Sequence, residues 1–249
     1  MIGAKHLIPL AVRNRLRSFL YRSRQRVPSP VDVVKANTQE AFDYFYAQDD
    51  FIAEHYLEPE RIALYEIVAN RCAKLLESLG DTRPVRVCDI GCGTGEMLEI
   101  LRSAVPSDYK VELFGLDFAN SAIAKAQKLL PAATFKVGDI YINDLPAAYF
   151  DLVLCLETLE HLQTPERALD TLLRICKPGG HLIITVPNGE KDSWEGHVNF
   201  WNFSQFAAFL GSADRSKIEL VQDETTILSI LRKSERPGHA SEAIDSSSH

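Results

Sequence analysis

The stretch ETLEH, residues 157–161, sets Glu157, Glu160 and His161 at i, i+3 and i+4, the spacing of one helical face. Two carboxylates beside an imidazole have three uses. His161, oriented by a glutamate such as Glu157, is a candidate general base. Joined by the later His197, the same groups are a candidate site for a divalent metal. Their mixed oxygen and nitrogen donors suit Mn or Zn readily and Mg less so. In the third use Glu160 and His161 only cap the next helix or bond to backbone. Ionisable groups gathered where an apolar strand runs out favour a functional site.

The elements that must position these groups alternate along the chain. Periodicity predicts a helix over 59–79, carried by Ile62, Tyr65, Val68, Ala69, Cys72, Leu75, Leu76 and Leu79 and stopped by Gly80. Strands are expected at 85–90, 110–117, 134–139, 150–157 and 181–186, with helices at 95–104, after Asn120 as a cap, from Thr164 and Pro165 to Cys176, and over NFSQFAAFL. The apolar run 150–157 reads as a central parallel strand. KPGG (177–180) is a turn, and KIELVQ with TTILSILRK forms a closing hairpin. The pattern predicts an α/β, Rossmann-like, seven-stranded and mostly parallel sheet, with helices on both faces and a C-terminal antiparallel hairpin. Ligands of such sheets bind at the carboxyl ends of the strands.

Residues 1–30 form a basic amphipathic extension and 31–58 a linker and helical lid. The αβ domain spans 59–233, and 234–249, rich in Ser with Pro, Gly and His, is a disordered tail. The extension holds seven Lys and Arg and no acid, whereas the rest of the 249 residues carries 20 basic against 34 acidic groups, a net of −14. An acidic body argues against general nucleic-acid binding. Val12, Leu16, Phe19 and Leu20 make an apolar stripe among the arginines, which fits a helix on an anionic membrane surface, an organelle-targeting peptide, or a helix docked on the body. Five cysteines without a C-x-x-C pair indicate buried thiols in a reducing, cytoplasmic setting. The aromatics Phe42, Tyr44, Phe45, Tyr46, Phe51 and Tyr56 belong to a lid or to packing at a sheet edge, and Trp194, Phe200, Trp201 and Phe203 to a lid near His197 or to the core.

VCDIGCGTGEML, residues 87–98, runs from a strand through Gly91, Gly93 and Gly95 into a helix. Glu96 stands where a dinucleotide fingerprint needs its last glycine, so the loop suits a cationic ligand better than a pyrophosphate. From about residue 60 to 232 the sequence resembles the class I S-adenosylmethionine-dependent methyltransferases, whose first motif has this D-I-G-C-G-T-G form. The resemblance implies that Asp89, Gly91, Gly93 and Gly95 line the methionine end of S-adenosyl-L-methionine. Asp117 would bind the ribose hydroxyls, Phe118 would pack beside the adenine, and Asp139 with Ile140 would reach its amino edge. The E-x-x-E-H segment is similar to that of the ubiquinone-pathway O-methyltransferases. With His197 it also resembles the metal set of the small-RNA 2′-O-methyltransferases: Glu157, Glu160, His161 and His197.

These features lead to methylation of oxygen on a small molecule, lipid-linked intermediate or glycan, with peripheral membrane contact through the N-terminal segment. A metal-dependent RNA 2′-O-methyltransferase and a non-catalytic cofactor-binding regulator are the alternatives. No G-x-S-x-G elbow or P-loop is present.

Overall fold

Every residue of Phe150–Leu156 is buried, which marks this strand as the middle of a sheet covered on both faces. The computed structural model of the chain describes residues 37–79, 84–194, 196–211 and 217–235. The strands are β1 (Val85–Ile90), β2 (Val111–Asp117), β3 (Thr134–Val137), β4 (Phe150–Leu156), β5 (Cys176–Pro187), β6 (Lys217–Val221) and β7 (Thr226–Arg232). They form a seven-stranded sheet in the order β3-β2-β1-β4-β5-β7-β6, parallel except that β7 runs antiparallel to β5 and β6. The chain winds outward from β1 to β3 and then returns to place β4 on the other side of β1. That reversal opens a crevice at the carboxyl ends of β1 and β4.

The helices are α1 (Gln39–Ala47), α2 (Asp49–His55), α3 (Pro59–Leu79), α4 (Glu96–Ala104), α5 (Asn120–Leu129), α6 (Pro165–Ile175) and α7 (Phe203–Leu210). Strand residues alternate between two cores, as the two-residue pleat requires. Val87, Leu152 and Leu154 pack beneath Val68 and Cys72 of α3, Leu98 of α4 and Ala126 of α5. Cys88, Val153 and Cys155 face Ala168 and Leu172 of α6 and Phe206 of α7. All five cysteines are free and buried, as the sequence implied.

Three expectations need correction and three fall outside the described residues. Asn120 is not a cap but the first residue of α5, and no side chain of its own N-terminus caps that helix. Asp43 of α1 does so instead, accepting from Ser121 N (2.8 Å) and Asn120 Nδ2 (3.0 Å). The KPGG segment is not a turn ahead of the strand but part of β5, where a register shift against β4 absorbs the glycines. A Cβ on Gly180 would lie 2.9 Å from the Asp151 carbonyl. Glu157 does not share an α-helical turn with His161: it leaves β4 with φ 49°, and Leu159–His161 form a 3₁₀ turn. The expected N-terminal helix, the Gly80 stop and the tail beyond residue 235 lie outside the described residues.

Helices α1 and α2 precede the αβ domain and close over its carboxyl edge. Besides the Asp43 cap, Gln39 Nε2 donates to the Phe118 carbonyl (2.7 Å) and Asn37 Nδ2 to the Gly196 carbonyl (3.0 Å). Asp43 satisfies amides that the helix leaves open and complements its dipole. Replacing it, Asp43→Ala, is expected to lower stability by about 1 kcal/mol, the usual worth of an N-cap. Hydrogen exchange should show protection lost first in α1 rather than evenly; even loss would mean that the cap does not anchor the lid.

Candidate functional site

At the end of β1 the chain must turn at once beside β4. Gly91, at φ 77°, makes that turn, and a Cβ there would come within 2.3 Å of Thr158 Oγ1. Gly93, at φ 51°, donates its N–H to Asp117 Oδ2 (2.9 Å), while Asp117 Oδ1 accepts from Ala119 N (2.9 Å). One carboxylate at the end of β2 therefore fixes both the glycine loop and the entry to α5. Each oxygen keeps a further lone-pair direction for a ligand.

A cavity of about 530 Å³ opens above these strand ends. Gly91, Asp117, Phe118, Asp139 and Ile140 line one stretch of its wall; Glu157, Glu160, His161 and His197 line another. Of the residues the resemblance assigned to a cofactor, Asp89, Gly93 and Gly95 do not line it. Asp89 is buried behind the wall with Oδ1 unpaired, and Tyr46 and Tyr56 stand against Gly93. Phe42, Tyr46, Phe51 and Tyr56 line the cavity from the N-terminal side, whereas Tyr44 is exposed and Phe45 stacks on Phe51. Trp194 also lines it, while Trp201 packs on Phe206 and Phe209 in the core.

The four groups singled out by sequence meet in this wall, with partners that spacing did not reveal. Glu157 Oε2 pairs with Arg61 of α3 at 3.2 Å. Glu160 is 1% exposed, and its Oε2 has no hydrogen-bond partner. No glutamate hydrogen-bonds His161: its Nε2 is 3.9 Å from Glu160 Oε1, and its Nδ1 lies 3.4 Å from the Gly196 carbonyl. The carboxylate–imidazole pair that does form is Asp192 with His197, Oδ2 to Nδ1 at 2.5 Å. Carbonyl and carboxylate oxygens only accept, so both imidazoles carry their proton on Nδ1. Both Nε2 lone pairs are thereby free, and each Nε2 is 3.9 Å from Glu160 Oε1. Ligand atoms of Glu160, His161 and His197 lie within 4.8 Å of one another, a spacing that would accept an ion; Glu157 stands apart with Arg61. Asp192 was legible only as an acid five residues before His197, and Arg61 only as one charge on a helix.

Burial sets the charge states. It raises Asp89 to about 7, with Asp117 adding to the effect, and Asp117 to about 6 against the pull of its N–H partners. Burial and then Glu157 hold Glu160 well above the ordinary carboxylate range. His161 is lowered to about 3 by burial and then by His197, so it is neutral at physiological pH. A buried acid with a raised folded pKa stabilises below its unfolded value, and that contribution is lost as pH rises through the folded one. His161 acts oppositely, costing stability as pH falls below about 6.5. His181, which burial also lowers, acts in the same direction as His161, and the three acids outweigh the two histidines. Urea unfolding of the ligand-free protein should therefore show stability falling from pH 5 to 7. Asp89→Asn should flatten that slope by up to about 1.4 kcal/mol per pH unit; an unchanged slope would show that Asp89 does not hold its proton.

Residues 64–216 match a family described as a methyltransferase domain. The chain is 30% identical over 161 residues to a ubiquinone biosynthesis O-methyltransferase of Alkalilimnicola ehrlichii, covering 61% of this chain and 62% of that one. It spans about six tenths or less of the length of the curated relatives it matches. Among solved structures, the plantazolicin methyltransferase BpumL in complex with SAH superposes with TM-score 0.63 at 19% identity, over 82% of this chain and 98% of that one. The N-methyltransferase NodS from Bradyrhizobium japonicum, also with SAH, gives 0.60 at 22%, over 79% and 98%. At those identities the likeness is one of fold.

Proposed function

This chain belongs to the methyltransferase domain family, and on that premise we propose that it moves the methyl group of S-adenosyl-L-methionine to a hydroxyl oxygen of a small-molecule, lipid-linked or glycan acceptor. One observation carries the reading: a single cavity joins the strand-end acids to the Glu160, His161 and His197 cluster. When bound, the cofactor supplies an electrophilic methyl group on a sulfonium sulfur. The residues fit it, with Asp117 and Asp139 as acceptors for hydroxyl and amino groups and Phe118 and Ile140 as apolar walls. Asp89, Gly93 and Gly95 shape the loop behind. Asp117, whose two oxygens each keep a lone-pair direction beyond their backbone N–H partners, faces the cavity as the acceptor.

For the acceptor, the chain must align a hydroxyl, exclude water and take its proton. We assign the proton to Nε2 of His197 rather than to His161. Asp192 on Nδ1 stabilises the imidazolium that results, whereas His161 is held neutral by its surroundings. His161, with its ring centroid 4.8 Å from that of His197, then bounds the acceptor position. Arg61 neutralises Glu157 and keeps the pocket from gathering uncompensated acids.

A second reading is favoured by the free Nε2 pair and the unpartnered Glu160 Oε2: a divalent ion, Mn or Zn before Mg, held by Glu160, His161 and His197. Asp192 and the Gly196 carbonyl would then orient its imidazole ligands from behind. An RNA acceptor for such a site has the acidic body against it.

Labelled methyl transfer into an extract of the source organism separates these readings. The expected product is nuclease-resistant, and its formation survives chelator. His197→Ala should lower the rate by about 10²–10⁴-fold, and Asp192→Asn should lower it with cofactor affinity unchanged. Loss of activity with chelator and recovery with Mn would transfer the role to the ion. Nuclease-sensitive product would make RNA the acceptor, and tight cofactor binding without any transfer would leave a regulator.

A further inference from the structure

Four of the eight large apolar side chains exposed among the described residues fall in one ten-residue run, Trp194, Val198, Phe200 and Phe203. Each is between 38% and 45% exposed. The run lies in the loop between β5 and α7, ends on the first residue of α7 and contains His197. Trp194 also lines the cavity, with its ring centroid 4.7 Å from that of His197. Phe200 also lies beside His197, with ring centroids 6.1 Å apart, so the exposed run adjoins the cavity through Trp194 and His197. Exposed aromatics gathered at one place mark an interaction surface.

The chain itself indicates what covers that face. Asn37, the first described residue, is tied through Nδ2 to the Gly196 carbonyl in the middle of the run. Residue 30 is seven residues upstream, so the basic extension ends within about 25 Å of this loop. That extension holds seven cationic residues, no acid and the stripe Val12, Leu16, Phe19 and Leu20. An apolar wedge beside a polybasic segment gives the two signals that stable attachment to an anionic bilayer needs. The rest of the protein, at −14, is repelled by such a surface, so attachment depends on the arginines and weakens with salt. Among the described residues no helix is long and apolar enough to cross a membrane.

We propose that the Trp194–Phe203 face docks on an anionic membrane surface beside the N-terminal basic segment, so that the cavity takes an amphiphilic acceptor carried by the bilayer. The acceptor class rests on the methyl-transfer reading above; the docking does not.

The test uses the full chain carrying Trp201→Phe, which leaves Trp194 as the single tryptophan. It is mixed with phosphatidylcholine vesicles, with or without about a third phosphatidylglycerol. Binding is expected only to the anionic vesicles, with release at high salt. Trp194 emission should shift to the blue and be quenched by lipids brominated in their acyl chains. Phe200→Ser with Phe203→Ser should weaken binding at least about tenfold. Gln in place of Arg13, Arg15, Arg17, Arg22, Arg24 and Arg26 should abolish it while S-adenosylhomocysteine binding persists. Absence of vesicle binding, or binding without quenching of Trp194, would overturn the proposal. So would a Trp194 already shielded from aqueous acrylamide and indifferent to vesicles, since the face would then be covered by another part of this chain. Docking without transfer to any lipid extract, while label still enters a water-soluble product, would overturn the bilayer-carried acceptor and leave the docking face and the methyl-transfer reading standing. Docking with no transfer into any fraction would defeat the methyl-transfer reading itself.

Discussion

Asp117 is the point on which the site depends. Its two oxygens take one N–H from the glycine loop after β1 and one from the entry to α5. The first bond sets the backbone that borders the cavity. The second sets the N-terminus of α5, which Asp43 then caps from α1. Through these two steps the aromatic lid, the loop and the strand ends hold one geometry. A buried carboxylate satisfied by backbone amides is rigid because its alternatives leave polar groups unpaired.

The same burial controls the chemistry. Water is largely removed from Asp89, Asp117 and Glu160, so their charged forms are disfavoured until a ligand supplies donors. A site in this condition favours a partner bearing hydroxyls, amines or positive charge. On the opposite wall the histidines are separated in role by their Nδ1 partners. Asp192 holds the Nδ1 proton of His197 and the Gly196 carbonyl that of His161, and burial then His197 lower His161. Two imidazoles whose centroids lie 4.8 Å apart thus differ in the group that orients each of them.

Outside the pocket, sheet-end packing does the structural work with ordinary means. Lys177 bonds both oxygens of the buried Asp151, and Asp151 also accepts from Arg86 N. This network sits at the β5 bulge that the glycines make room for. It stands apart from the carboxyl edge, where the unpaired polar atoms Asp89 Oδ1, Glu157 Oε1 and Glu160 Oε2 collect.

The sequence by itself determined the order and type of the αβ elements from β1 to β7 and the family of the glycine loop. Those signals are local: an apolar run, a glycine series, a period of 3.6 or 2. It also picked out Glu160, His161 and His197, because chemistry-bearing residues at strand ends are visible as types. Only the tertiary structure decided their partners. Arg61 meets Glu157 across almost a hundred residues, and Asp43 caps a helix whose own Asn120 seemed suited to the task. Packing of the segment before α1, the 3₁₀ turn and the loop after β5 brings Asn37 and His161 to the Gly196 carbonyl. Spacing along a chain fixes what a residue can do. Which group it does it with depends on distances that only the packed sheet establishes.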